Sequence, residues 1–147
     1  STYAELIVNY GAMNNQFILD EKEYHINDGM AHFIEHLLIE HSSFGNSGEY
    51  FHNNYVKSNG STSFKRTRFY IKTVNSFLEY LEKLIQVVNI PVFTKEDIEV
   101  TKYPVYEEIR RSKDNNFVSL DELERKCMFK NIDFSTVLGS EEDIKEI

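Results

Sequence analysis

Apolar positions along the chain follow two periods, and these divide it into strands and helices. Tyr3 to Tyr10 is β-branched and aromatic with partial alternation, which predicts a strand. Gly11 to Asn15 reads as a turn and Gln16 to Leu19 as a second short strand. From Asp28, a candidate N-cap, apolar residues recur three to four apart up to His41: Met30, Phe33, Ile34, Leu37 and Leu38 form one helical stripe. A loop from His41 to Gly48 follows. Asn46 and Glu49 make a capping box for a helix to about Ser58, which Asn59-Gly60 ends as a turn or helix stop. Thr62 to Phe64 and Thr67 to Val74 read as strands. Ser76 to Val88 is an amphipathic helix with Phe77, Leu81, Leu84 and Val88 on one stripe and Leu78 and Ile85 beside it; Pro91 bounds it. Thr94 and Asp97 cap a long helix to about Arg111, in which Pro104 predicts a kink. Further helices are expected over Leu120 to Phe129 and from Glu141 to Ile147. The order predicts an α+β class: a small, mostly antiparallel sheet with helices packed on one face.

The 147 residues are 41% hydrophobic and 14% aromatic, enough to bury a core, so global disorder is excluded. A net charge of −8 argues against a dedicated nucleic-acid binder, which needs a basic surface for phosphates. One cysteine, Cys127, excludes an internal disulfide framework and a thiolate zinc cluster. No apolar run approaches the ~18 residues that span a bilayer. The opening STYAELIVNYG lacks a basic region and a long apolar run of a secretion signal, so a cytoplasmic location is expected.

The chemistry concentrates in His32-Phe33-Ile34-Glu35-His36. At about 100° per residue the two imidazoles lie about 40° apart, one turn from each other, where they can grip one cation. Glu35 is offset by about 60°, so it can address a water without occupying the metal. This is the H-x-x-E-H order of inverted zincins. Phe33 and Ile34 face the core, leaving His32, Glu35 and His36 as a polar face opposite. Zinc held by two histidines needs a third protein ligand and an open position. His25, His41, His52, Cys127 and the carboxylates are candidates. His41 points about 140° away from His36, His25 reads as a loop residue, and His52 as a partly buried structural residue. The long helix offers Glu107 and Glu108, between which periodicity does not choose.

Gly29-Met30-Ala31-His32-Phe33-Ile34-Glu35-His36 resembles the G-[IM]-A-H-[FL]-[LI]-E-H signature of pitrilysin-type metallopeptidases, the family of insulin-degrading enzyme and the mitochondrial processing peptidase. Further segments are similar in order: Asn59-Gly60-Ser61-Thr62 with Thr67-Arg68-Phe69-Tyr70, Pro91-Val92-Phe93-Thr94, Val105-Tyr106-Glu107-Glu108-Ile109 with Asp114-Asn115, and Leu138-Gly139-Ser140 through Ile144. The resemblance implies Zn2+ held by His32, His36 and Glu108, the last lying 72 residues after His36. It implies that Glu35 is the general base of peptide hydrolysis. It also implies that Asn59, Gly60, Ser61 and Thr62 form a sheet edge on which an extended peptide pairs.

The chain departs from the family pattern in places. Thr101 stands where a second glutamate usually supports the site from one heptad before the ligand. Gly60 replaces the usual alanine, and Pro104 sits one turn before Glu108. Family members are built of two homologous halves, each longer than this chain. Residues 1–147 are therefore expected to be a single partial domain, the N-terminal peptidase half of a larger protein, partnered by the rest of its own chain or a homologous subunit. A non-catalytic, peptidase-like subunit is the alternative. S-ribosylhomocysteine lyase shares the inverted motif but takes a cysteine as third ligand; Cys127 lies 91 residues after His36 and reads more simply as a small core-facing residue.

Overall fold

The computed structural model describes residues 1–129 and 136–147. Three antiparallel strands form the sheet, in the order β1 (Thr2–Val8), β5 (Thr67–Thr73), β4 (Lys57–Thr62). A separate hairpin pairs β2 (Gln16–Leu19) with β3 (Lys22–His25). The helices are α1 (Met30–Glu40), α2 (Ser47–Asn53), α3 (Phe77–Asn89), α4 (Lys95–Lys113), α5 (Asn116–Met128) and α6 (Glu141–Lys145). The class is α+β, as expected.

Alternation along β5 decides which way the sheet faces. Phe69 and Ile71 point inward and are buried, whereas Arg68 and Lys72 point out. On the inner face Leu38 of α1, Phe51 of α2, Val56, and Tyr80, Leu84 and Val87 of α3 complete a core against the sheet. The α3 stripe is rotated from the expected one. Tyr80, Leu84 and Val87 are buried, while Leu78 and Ile85 are exposed. A second cluster joins three helices: Phe33 and Leu37 of α1, Val105 and Ile109 of α4, and Ile144 of α6.

The structure corrects several boundaries. Asn59-Gly60 is not a turn; it lies inside β4, paired with Tyr70 and Phe69. Helix α2 ends at Asn53 instead of Ser58. Tyr55 takes a left-handed backbone (φ 58°), which stops the helix, and β4 begins two residues later. β4 ends at Thr62, and Ser63 and Arg66 close the turn into β5. The strand β3 has no alternating pattern. It forms because Asp20 and Glu21, both at positive φ (50° and 61°), make the tight two-residue turn that hairpins favour. Helix α5 starts at Asn116, four residues earlier than expected, where the Asn115 side chain accepts from the Phe117 N–H. Helix α4 runs through Pro104 as one element.

Asp28 does not cap α1. Its carboxylate accepts from Asn15 Nδ2 at 3.0 Å, and Gly29 (φ 81°) is the cap residue. Gly29 lies back to back with Gly139 (φ 72°). A Cβ on either would strike the other segment's backbone. Both positions need glycine for conformation and for close approach. Their contact docks the segment leading into α6 against the start of α1. No helix among the described residues is long and apolar enough to cross a membrane.

Candidate metal centre

Helix α1 presents His32 and His36 one turn apart, their ring centroids 4.7 Å from each other and their planes at 81°. The residue after each histidine anchors the helix: Phe33 is fully buried and Leu37 nearly so. That anchor fixes the helix rotation and turns the histidines toward α4. On α4, Val105 and Ile109 pack into the same cluster, and this determines which glutamate arrives. Glu108 places Oε2 3.2 Å from His32 Nε2 and Oε1 3.6 Å from His36 Nε2. Glu107 instead accepts from Arg110 at 2.9 Å, facing solvent.

One ligand atom from each of His32, His36 and Glu108 lies within 4.8 Å of the others. Tetrahedral zinc with bonds of about 2.0–2.2 Å separates neighbouring ligand atoms by about 3.3–3.6 Å. The 3.2 and 3.6 Å contacts run to different Glu108 oxygens, and the set of one atom per residue spans up to 4.8 Å, so the three residues can hold one Zn2+ once their ligand atoms draw together by about 1 Å. The donor set of two imidazoles and one carboxylate is that of a catalytic rather than a structural zinc site. His36 Nδ1 lies 3.0 Å from Glu40 Oε1. His32 Nδ1 is buried and has no hydrogen-bond partner among the described residues.

The polar face of α1 is covered, not solvated: His32 and Glu35 are each only 7% exposed. Strand β4 covers Glu35. The Thr62 hydroxyl donates to Glu35 Oε2 at 2.5 Å. Gly60 gives the carboxylate room, since a Cβ there would come within 2.5 Å of Oε1. Burial lifts the Glu35 carboxyl above the ordinary carboxylate range, with the charge of Glu108 assisting, while the Thr62 bond and the two imidazoles oppose the shift. Hydrogen bonds from His32 and then His36 hold Glu108 far below the usual range. Burial pulls His36 down, but its contacts with Glu108 and Glu40 outweigh this and lift it to about 9. The pocket beside these groups is an open cleft of about 570 Å³, reaching from His36 and Glu40 past Asn59 and Ser61 to Glu108 and Leu138.

The other sequence candidates lie elsewhere. His25 is exposed beside Glu23. His52 is exposed, not partly buried, because it falls on the outer side of the short α2. His41 turns away as its angle required, with Nδ1 3.0 Å from Asp97 Oδ1 and Nε2 3.1 Å from Thr101 Oγ1. Thr101 is fully buried, with its hydroxyl on His41. Cys127 is exposed on α5, not core-facing, and is outside the cluster, which leaves the lyase reading without its ligand. Sequence reasoning missed Glu40 and the contact of Thr62 with Glu35. The i,i+4 spacing from His36 announces the first; nothing local announces the second.

The model of the insulinase family (peptidase family M16) matches residues 3–137. The chain is 35% identical over 116 residues to the uncharacterized zinc protease YmfH of Bacillus subtilis (strain 168), covering 78% of this chain and 27% of that protein. A putative M16-like peptidase from Alicyclobacillus acidocaldarius superposes with a TM-score of 0.80 at 21% identity, over 99% of this chain and 34% of its own. A peptidase M16 inactive domain from Pseudomonas fluorescens superposes with a TM-score of 0.76 at 14% identity, over 99% of this chain and 35% of its own. The chain thus spans about a quarter to a third of the length of these relatives. Since an inactive domain shares the fold, the fold by itself does not separate active from inactive members. The match over nearly the whole chain settles the family: the chain belongs to the insulinase family, peptidase family M16.

Proposed function

We propose that the protein carrying this chain is a zinc-dependent endopeptidase, with residues 1–147 as the metal-bearing part of its N-terminal half. The observation that carries this reading is the convergence of His32, His36 and Glu108 within 4.8 Å, beside a buried carboxylate that is not one of the three. A zinc ion held by these residues supplies Lewis acidity, polarising a scissile carbonyl and acidifying a water molecule.

Glu35 takes the proton of the attacking water and returns it to the leaving amine. Thr62 occupies Oε2, so Oε1 is the oxygen that carries the proton. A carboxyl whose affinity for protons is raised by burial suits both transfers. Glu108 stays ionised across the working pH range and offers its charge to the cation. Strand β4 pairs with β5 on one side and with no other strand among the described residues. Its backbone from Asn59 to Thr62 is where an extended peptide adds, beside the cleft and within reach of Glu35. Thr101 supports the site indirectly, by seating α4. The rest of the chain, or a homologous subunit, closes the cleft over the peptide. Thr101 in place of the supporting glutamate, and Pro104 one turn before Glu108, favour the non-catalytic reading; the convergence of His32, His36 and Glu108 beside the buried Glu35 weighs against it.

Glu35→Gln in the full-length protein is the test. Hydrolysis of an unstructured fluorogenic peptide should fall by roughly 10²–10⁴-fold while zinc content stays at the wild-type level. Release of zinc by this variant would make Glu35 a ligand and overturn the assignment.

A further inference from the structure

We infer that Glu40 is a positioning residue for the metal centre, holding His36 through the ring nitrogen that faces away from the cation; this rests on the metal site proposed above. Glu40 follows His36 by one turn of α1. Its Oε1 lies 3.0 Å from His36 Nδ1, while Nε2 of the same ring lies 3.6 Å from Glu108 Oε1. Opposite edges of one imidazole therefore meet two carboxylates. Nδ1–H donating to Glu40 leaves the Nε2 lone pair free for the metal, which selects the competent tautomer and fixes the ring plane. The negative charge behind the ring also raises the basicity of Nε2.

Two features separate this arrangement from an ordinary i,i+4 surface pair. The Glu40 side chain is only 25% exposed and that of His36 18%, and Glu40 lines the same cleft as the three ligand residues. His36 is also the hydrogen-bond partner of Glu40 among the described residues, so no cation competes for the carboxylate. Glu40 is not itself a fourth ligand, because the imidazole ring stands between its carboxylate and the cluster. The contrast with His32 is direct: its Nδ1 is buried and has no hydrogen-bond partner among the described residues, so on the side away from Glu108 packing, not a carboxylate, backs that ring. The centre thus has one histidine braced by a carboxylate and one braced by its surroundings.

The experiment compares Glu40→Ala and Glu40→Gln with wild type in the full-length protein. Zinc affinity is measured by competition with a chromogenic chelator, and cobalt(II) spectra and thermal unfolding of the metal-free forms are recorded alongside. Removing an outer partner of a ligating histidine weakens metal binding by roughly 10–100-fold, and that is the loss expected for Glu40→Ala. Glu40→Gln keeps an acceptor oxygen in the same place and recovers most of the affinity. The cobalt spectrum keeps its tetrahedral bands in both variants, and the metal-free Tm stays at the wild-type value. If Glu40→Ala fails to fold, Glu40→Leu fills the same volume and carries the same expectation. Wild-type affinity in Glu40→Ala, or a lowered metal-free Tm with unchanged affinity, overturns the inference, as does loss of the tetrahedral bands, which would make Glu40 a ligand. A wild-type protein that takes up no zinc overturns the metal site itself, and this inference with it.

Discussion

Helices α1 and α4 both supply the metal centre, yet they are held in different ways. In α1, six of the eleven residues are buried: Ala31, His32, Phe33, Glu35, Leu37 and Leu38. It packs on the sheet core through Leu38 and on α4 and α6 through Phe33 and Leu37. Its two histidines meet because a helix brings residues four apart onto one face. In α4, nineteen residues long, only Thr101, Lys102, Val105 and Ile109 are buried. Three of these four are spaced by four, a single ridge along one side. Glu108 reaches the histidines only as far as that ridge seats α4 against α1. The histidine pair is therefore set by local geometry and the third ligand by tertiary packing, which makes Glu108 the ligand most sensitive to distant changes.

The largest effect should come from removing a ligand on the rigid side. His32→Ala is expected to abolish zinc uptake at equimolar metal and, with it, hydrolysis. Glu108→Ala should weaken uptake severely but leave residual binding at excess metal, since the two imidazoles remain in register. Metal content measured after dialysis against graded zinc separates the two. A Glu108 variant that loses more zinc than the His32 variant would reverse the ranking of the two helices.

A smaller effect tests the packing itself. Ile109→Ala and Leu84→Ala each remove buried side-chain volume, one from the α1–α4–α6 cluster and one from the sheet core. Both should cost about 2–5 kcal/mol of stability in denaturant titrations. Only Ile109→Ala should also weaken zinc binding by the folded protein, because only that cluster seats Glu108. Equal zinc affinity in both variants would mean that α4 is positioned by something other than this ridge.

The same division governs what the sequence made legible. Helices α1 and α3 follow from their apolar spacing, and α4 starts at the capping box of Thr94 and Asp97, which forms as read. The placement of His32, Glu35 and His36 follows from helical pitch alone. Periodicity left Glu107 and Glu108 equal because neither is apolar, and only the burial of Val105 and Ile109 against α1 decides between them, turning Glu107 to solvent. Asn59-Gly60 read as a turn because its local propensity is that of a turn. Pairing with β5 overrides it, and the glycine serves Glu35 across the gap between strand and helix. The α1 cap on Gly29 was hidden for a similar reason, since it depends on Gly139, 110 residues away.

The smallest perturbation acts on that strand–helix gap. In Gly60→Ala the added methyl would lie 2.5 Å from Glu35 Oε1 and 2.7 Å from Ile39 Cδ1, where ordinary contact begins near 3.4 Å. Both atoms are ends of flexible side chains, so they can yield by about 1 Å without moving the backbone. The backbone at position 60 is extended strand, which alanine adopts freely, and loss of a glycine reduces the freedom of the unfolded chain. Stability should therefore stay within about 1 kcal/mol of wild type, the entropic gain of ~0.4–1 kcal/mol offsetting the contact. Zinc affinity should not change, because none of His32, His36 and Glu108 meets the new methyl. Turnover should fall, because the carboxylate proposed to move the proton is displaced; a shift of about 1 Å can cost up to ~10²-fold. The measurement is kcat on the unstructured peptide, normalised to bound zinc, beside a thermal melt. A fall in kcat with zinc and stability intact would show that β4 tunes the base independently of the metal. Loss of zinc would tie the strand to the ligands, and unchanged kcat would mean that Glu35 tolerates the displacement.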